Sequence, residues 1–84
     1  MTVFQNLRNM IHTIIEAIEF TLKEQGEPQS PYWLSSQMME MRLWRASEHD
    51  VQAALEKDMK KWGKESQFVK TEEDEYALRS WSES

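Results

Sequence analysis

The sequence contains no cysteine, and this absence excludes a disulfide framework and a zinc site built from thiolates. Only two histidines remain as soft metal ligands or general bases. No apolar run is longer than three residues, which excludes a membrane-spanning segment. The first residues lack a basic stretch followed by an apolar block, so we expect no signal peptide. The two glycines lie far apart, so there is no glycine-rich phosphate-binding loop.

The residues that are present suffice for one small domain. The 84 residues include 39% apolar residues and four tryptophans, which is enough to form a hydrophobic core. The mean hydropathy of −0.78 therefore indicates a charged surface rather than disorder. We expect a cytoplasmic protein that makes no membrane contact.

Charge is unevenly distributed along a chain whose net charge is −5. Residues 1–41 hold two basic and five acidic residues, and residues 65–84 hold two basic and six acidic ones. Residues 42–64 reverse the balance, with six basic and four acidic residues. A net negative charge repels phosphate backbones and anionic lipids on average, but it does not exclude a local basic patch.

Apolar periodicity predicts that the chain begins with a helix. Thr2 followed by Gln5 is typical of a capping box, and Gly26 and Pro28 end the pattern. The prediction is either one long helix or a short arm followed by a helix from about Asn9. The apolar stripe recurs at helical spacing at Phe4, Leu7, Ile11, Ile14 and Ile18.

Two further helices and a hairpin are predicted after this segment. Ser30 and Pro31 form an N-cap and first-turn pair, and Ser47 with Asp50 resembles a capping box. The third helix is expected to pack Val51, Ala54, Leu55, Met59 and Trp62 and to end at Gly63. Residues 67–71 and 75–79 have strand composition and are separated by a short acidic turn. The fold class is therefore mainly α (α+β): a winged helix of three helices with a helix-turn-helix pair, followed by a C-terminal β-hairpin wing.

A group of residues in this order resembles a known winged-helix family. The group comprises residues 23–28, Leu34, Met38, Leu43-Trp44, Leu55, Asp58-Met59, Ser66-Gln67-Phe68-Val69 and Tyr76-Ala77-Leu78-Arg79-Ser80-Trp81. On these residues the chain resembles the HARE-HTH domain. This module is found in chromatin-associated proteins, in some restriction enzymes and in the bacterial RNA polymerase delta subunit.

The resemblance implies domain boundaries and a role, and the chain departs from the family pattern at two places. It covers roughly residues 12–81, so we divide the chain into an N-terminal helical extension or arm, 1–11, and a winged-helix domain, 12–84. It implies a role in transcription, chromatin or DNA modification, with RNA polymerase as one partner. The family usually has glycine where this chain has Arg42, and one or two glycines at the wing tip where it has Glu72 and Asp74. These residues predict looser turns.

The surfaces with which a winged helix would read DNA carry the wrong sign of charge. The first residues of the third helix are Ser47, Glu48, His49 and Asp50, and the wing tip is Glu72, Glu73, Asp74 and Glu75. Carboxylates there repel phosphates and accept hydrogen bonds from few base edges. Direct sequence-specific DNA binding is therefore disfavoured.

The basic middle segment contains the residues that would contact a nucleic acid or another acidic partner. These are Arg42, Arg45, Lys57, Lys60, Lys61 and Lys64. For the lysines, an ordinary explanation is available: cations at a helix C-terminus complement its dipole, and Glu56 with Lys60 forms a surface pair. Arg42 and Arg45 have no such explanation and are the stronger contact residues.

Two groups of apolar residues are predicted interface residues. Tyr32 and Trp33 lie side by side outside the apolar stripe of the second helix, and either form an exposed aromatic pair or pack over the first helix. Phe4, Leu7 and Ile11 precede the predicted domain, and either pair with a second copy in a homodimer or fold over their own domain. Trp44, Trp62 and Trp81 are expected to be packed.

No arrangement in the sequence indicates catalysis, a cofactor or a metal. His12 and Glu16 are four residues apart on a helix, but one histidine and one carboxylate are too few ligands. We expect a non-enzymatic interaction module that acts mainly through protein contacts. The alternatives are low-specificity double-stranded DNA binding through the six cations, and a small acidic nucleic-acid mimic.

Overall fold

The computed structural model describes residues 11–82, which fold into three α-helices followed by a β-hairpin. The helices are α1 (Ile14–Gln25), α2 (Pro31–Glu40) and α3 (Glu48–Trp62). The hairpin strands are β1 (Phe68–Lys70) and β2 (Tyr76–Leu78), and short 3-10 helices follow α3 and β2 at Gly63–Glu65 and Arg79–Ser82. This α+β order is the layout of a winged helix and confirms the predicted fold class.

Helix α1 begins later than predicted. Residues 11–13 are not helical, so the expected start near Asn9 is wrong, and the Thr2–Gln5 capping box lies outside the described residues. The side chain of Thr13 accepts a hydrogen bond from the Glu16 backbone, and the Glu16 carboxylate accepts one from the backbone of His12 at 2.7 Å. The first bond satisfies a backbone donor that the helix leaves unpaired, and the second ties the residue before the N-cap to the first turn, so together they set the start of α1.

The C-terminal end of α1 and the start of α2 follow the predicted chemistry. Gly26 adopts a left-handed φ of 74° and donates its backbone N–H to Leu22, which ends α1. The Ser30 hydroxyl accepts the backbone N–H of Trp33, and Pro31 occupies the first turn of α2.

Helix α2 ends in a tight turn, which corrects the looser turn expected from Arg42. Arg42 adopts a left-handed φ of 57°. Its backbone N–H donates to Met39, and that of Leu43 donates to Met38 at 2.9 Å. These two bonds define a Schellman motif, in which glycine usually holds the left-handed position. Arginine therefore closes the same turn in a conformation that L-residues rarely adopt.

Helix α3 is capped at both ends as predicted. Ser47 and Asp50 form a reciprocal capping box, each side chain accepting the other residue's backbone N–H. At the other end, the Gly63 backbone N–H donates to Met59.

The wing is a short antiparallel hairpin with a regular turn. Phe68 pairs with Leu78 and Lys70 with Tyr76. Thr71 accepts the backbone N–H of Asp74 and donates its own to Glu75, while Asp74 holds a left-handed φ of 62°. This pattern is typical of a type I turn with a bulge. The turn is tight, so the looser turn expected from Glu72 and Asp74 is not formed. A bridge between Gln29 and Tyr76 gives β2 a neighbour on its other side.

One hydrophobic core joins the helices to the wing. The fully buried side chains include Ile18 and Leu22 of α1, Leu34 and Met38 of α2, Val51 and Leu55 of α3, and Phe68 and Tyr76 of the wing. Trp44 and Trp81 pack against this core, as predicted. The prediction for Trp62 is wrong: it is 52% exposed, like the rest of residues 60–65 at and after the end of α3, which all lie on the surface.

Candidate interaction surface

The six predicted contact cations have no ion-pair partner among the described residues, whereas the other described lysines have one. Lys23 lies 2.8 Å from a Glu19 carboxylate oxygen, and Lys70 lies within 4 Å of both Glu56 and Asp74. None of Arg42, Arg45, Lys57, Lys60, Lys61 and Lys64 has an ion-pair partner within residues 11–82, and all six are exposed. Their positive charges are therefore available to an external acidic group.

The six cations fall into two groups relative to α3. Arg42 and Arg45 precede the start of α3, whereas the lysines lie at its C-terminal end. Ten residues separate Ser47 from Lys57, which corresponds to about 15 Å along a helix axis. Glu48 and Asp50 in the first turn of α3 lie between the two groups.

The lysine group occupies one end and one face of α3. Lys57, Lys60 and Lys61 are spaced three and four residues apart, and Lys64 follows in the adjoining 3-10 helix. The expected Glu56–Lys60 pair is not formed, because Glu56 instead contacts Lys70 and the Tyr76 hydroxyl. The ammonium of Lys61 lies 5.2 Å from the centre of the exposed Trp62 ring.

The arginine group lines an open cleft beside the end of α2. The cleft has a volume of about 500 Å³ and is lined by Met39, Arg42, Leu43, Trp44 and Arg45. We call it the α2–α3 cleft. Its described lining combines two cations with apolar surface and includes no carboxylate.

The predicted aromatic pair is split between two environments. Tyr32 is 66% exposed, whereas Trp33 is half-buried and packs against the core. Only Tyr32 is therefore available to a partner. Met39, at 51% exposure, is a surface residue that the sequence prediction missed; its spacing of seven from Tyr32 was the available signal.

The surfaces that would face DNA in a winged helix are acidic, as the sequence predicts. Glu48, His49 and Asp50 are exposed at the start of α3. At the wing tip, Glu72, Glu73 and Asp74 are exposed and Glu75 is half-buried. Lys70 is the described cation that contacts this tip, at 3.8 Å from Asp74.

A hydrogen-bond network joins the end of α3 to the wing. The buried Ser66 hydroxyl donates to Asp58 at 2.8 Å and accepts the backbone N–H of Phe68. The Arg79 guanidinium donates to the backbone carbonyls of Ser66 and Gly63, at 2.6 and 3.2 Å. Ser66 and Arg79 therefore have a structural role, which is to join the end of α3 to the wing.

Burial raises the pKa of the Tyr76 hydroxyl to about 12, and the neighbouring Glu56 carboxylate adds to the rise. The hydroxyl donates to Glu56 at 3.3 Å.

The backbone N–H of His12 lowers the pKa of Glu16 by donating to its carboxylate. The His12 ring lies 4.0 Å from that carboxylate in an exposed pair, and no group of three or more metal-ligating acidic, His or Cys residues occurs in residues 11–82.

The predicted N-terminal interface is only partly described. Ile11 is half-buried and packs against the core of its own domain, whereas Phe4 and Leu7 lie outside the described residues.

In the described part of the chain, no helix is long and apolar enough to cross a membrane. Comparison of the chain with protein-family models, curated proteins and solved structures found no match.

Proposed function

We propose that this protein is a non-enzymatic winged-helix interaction module that acts mainly through protein contacts in transcription or another DNA-associated process. The observation that carries the proposal is the sign of charge on the surfaces that a winged helix normally turns to DNA. Both the first turn of α3 and the wing tip are acidic and exposed. Phosphates would be repelled at both places, whereas a protein partner with basic or mixed charge would not.

The partner that we propose is RNA polymerase or another transcription or chromatin component. The resemblance to the HARE-HTH family supports this choice, since that module occurs in the polymerase delta subunit. If the partner is bacterial RNA polymerase, the proposed location is the cytoplasm. Pairing of two copies through Phe4, Leu7 and Ile11 remains part of the proposal, although the packing of Ile11 favours folding over the same chain.

The direct test uses the immobilised full chain and purified bacterial RNA polymerase, with and without nuclease treatment. We expect retention of the polymerase to survive nuclease digestion. In parallel, proteins retained from a lysate are compared before and after digestion. Recovery of nucleic acid alone, or loss of all retained protein after digestion, would refute the proposal.

Low-specificity binding of double-stranded DNA is the second function considered. The six cations that have no ion-pair partner in residues 11–82 favour it, because each can neutralise a phosphate and release a counterion. A labelled duplex should then bind with micromolar or weaker affinity that falls steeply between about 50 and 200 mM salt. The double variant Lys60→Glu and Lys61→Glu should abolish binding. Absence of any binding at low salt, or unchanged binding by this variant, would exclude the function.

A further inference from the structure

The α2–α3 cleft is formed around the hydrogen-bonded turn that ends α2. Leu43 lines it and is buried in the core, and its backbone N–H donates to Met38. The flanking Arg42 is held in a left-handed conformation by the same turn. Arg42 is therefore presented from a turn whose backbone hydrogen bonds are already made, and Arg45 follows three residues later.

Arg42 and Arg45 have no partner for their guanidinium groups among the described residues. No hydrogen bond or ion pair involves either side chain in residues 11–82, and both are exposed. Arg79 makes a useful comparison, because its guanidinium is used by two backbone carbonyls. A guanidinium presents several donors in a planar fork that suits a carboxylate.

Two exposed apolar side chains of α2 lie on one face of the helix, with the exposed Ser36 between them. Met39 lines the cleft, and Tyr32 lies seven residues earlier, two turns away on the same face of the helix. Both side chains are more than half exposed. The cleft thus offers Met39 and Trp44 for apolar contact beside two cations, and Tyr32 lies on the adjoining face of α2.

From this combination we propose that the α2–α3 cleft binds an acidic segment of a partner protein that also carries apolar side chains. Carboxylates of the segment pair with Arg42 and Arg45, and an apolar side chain packs on Met39 and Trp44. A nucleic acid fits less well, because Glu48 and Asp50 follow directly after the cleft and would repel adjoining phosphates. The inference rests on the proposed function and names the chemistry of the partner.

The test is a titration of the full chain, followed by backbone NMR, with a short synthetic peptide in which Asp and Glu alternate with Leu and Phe. We expect saturable shifts at residues 39–45 and at Tyr32, and little change at residues 57–64. Two control peptides separate the contribution of charge from that of apolar contact. One has Asn and Gln in place of Asp and Glu, and the other has Ser in place of Leu and Phe. Both should bind at least about ten-fold more weakly.

A matched pair of double variants locates the binding. Arg42→Gly with Arg45→Gln removes both guanidinium groups while keeping a residue at position 42 that favours the left-handed turn. Lys60→Gln with Lys61→Gln removes the same amount of charge at the far end of α3. We expect the first variant to lose binding by about ten-fold or more and the second to bind as the native chain does.

Three results would overturn the inference. These are equal binding by the two double variants, no saturable binding of the acidic peptide, and cleft shifts that grow with protein concentration without peptide, which would identify a second copy as the occupant. The proposed function is judged separately. If the Arg42→Gly/Arg45→Gln variant still retains RNA polymerase after nuclease treatment, the function stands and the cleft is not its site.

Discussion

Replacing Arg42 by glycine should give a more stable protein than replacing it by alanine. Arg42 holds φ at 57°, where the β-carbon of any L-residue meets the following carbonyl oxygen. Glycine has no β-carbon and avoids this clash. Both substitutions remove the same charge from the end of α2, so the interaction of the arginine with the helix dipole cancels in the comparison.

The size of the difference follows from two opposing terms. The left-handed conformation costs an L-residue roughly 1–2 kcal/mol, and the greater freedom of glycine in the unfolded chain costs about 0.5–1 kcal/mol. From the middle of each range, the glycine variant should therefore be more stable than the alanine variant by about 0.75 kcal/mol. For a domain of this size, that corresponds to about 3–6 °C in melting temperature.

Arg45 provides the matched control. It is also exposed and without an ion-pair partner in the described chain, but its φ is not positive. Here the Arg45→Gly variant should be less stable than the Arg45→Ala variant, because only the greater freedom of glycine in the unfolded chain distinguishes them. The measurement is urea unfolding of the four variants, followed by circular dichroism. The reasoning is refuted if alanine is the more stable residue at position 42, or if both positions show the same sign.

Three further predictions concern the titration of Tyr76 and two stabilising contacts. Because its folded pKa is raised from 10.0 to about 12, Tyr76 contributes stability below pH 10 that is lost as pH rises towards 12. Urea unfolding should show the native chain losing about 1.4 kcal/mol per pH unit in this window relative to Tyr76→Phe, and a constant difference would contradict this. Arg79→Ala should lower the free energy of unfolding by about 2–3 kcal/mol by removing both bonds to carbonyls, whereas Lys64→Ala, at an exposed position without an ion pair, should change it by less than about 0.5 kcal/mol. Ser47→Ala should cost about 1 kcal/mol through loss of the α3 cap, while Ser36→Ala on the exposed face of α2 should be neutral or slightly stabilising; equal effects in thermal melts would argue against the cap.

Local chemistry in the sequence predicts the elements and most of their ends. Ser30-Pro31, the Ser47–Asp50 capping box and Gly26 act within one helical turn of themselves, so their effect can be read without knowing the rest of the fold. The start of α1 was missed although Thr13 and Glu16 have the same capping spacing. The apolar stripe extends through that position, and it predicted a longer helix than the capping residues allow.

The sequence by itself determined the order of three helices and a hairpin, the buried faces and the acidic charge of both the α3 start and the wing tip. These properties depend on residue type and short spacing, which the chain carries directly. Only the tertiary structure decided that Trp62 is exposed and Trp33 packed, and that Arg42 closes a turn normally made by glycine. Those outcomes depend on where each element ends relative to its neighbours, because a residue at the end of a helix is buried only if another element lies beside it.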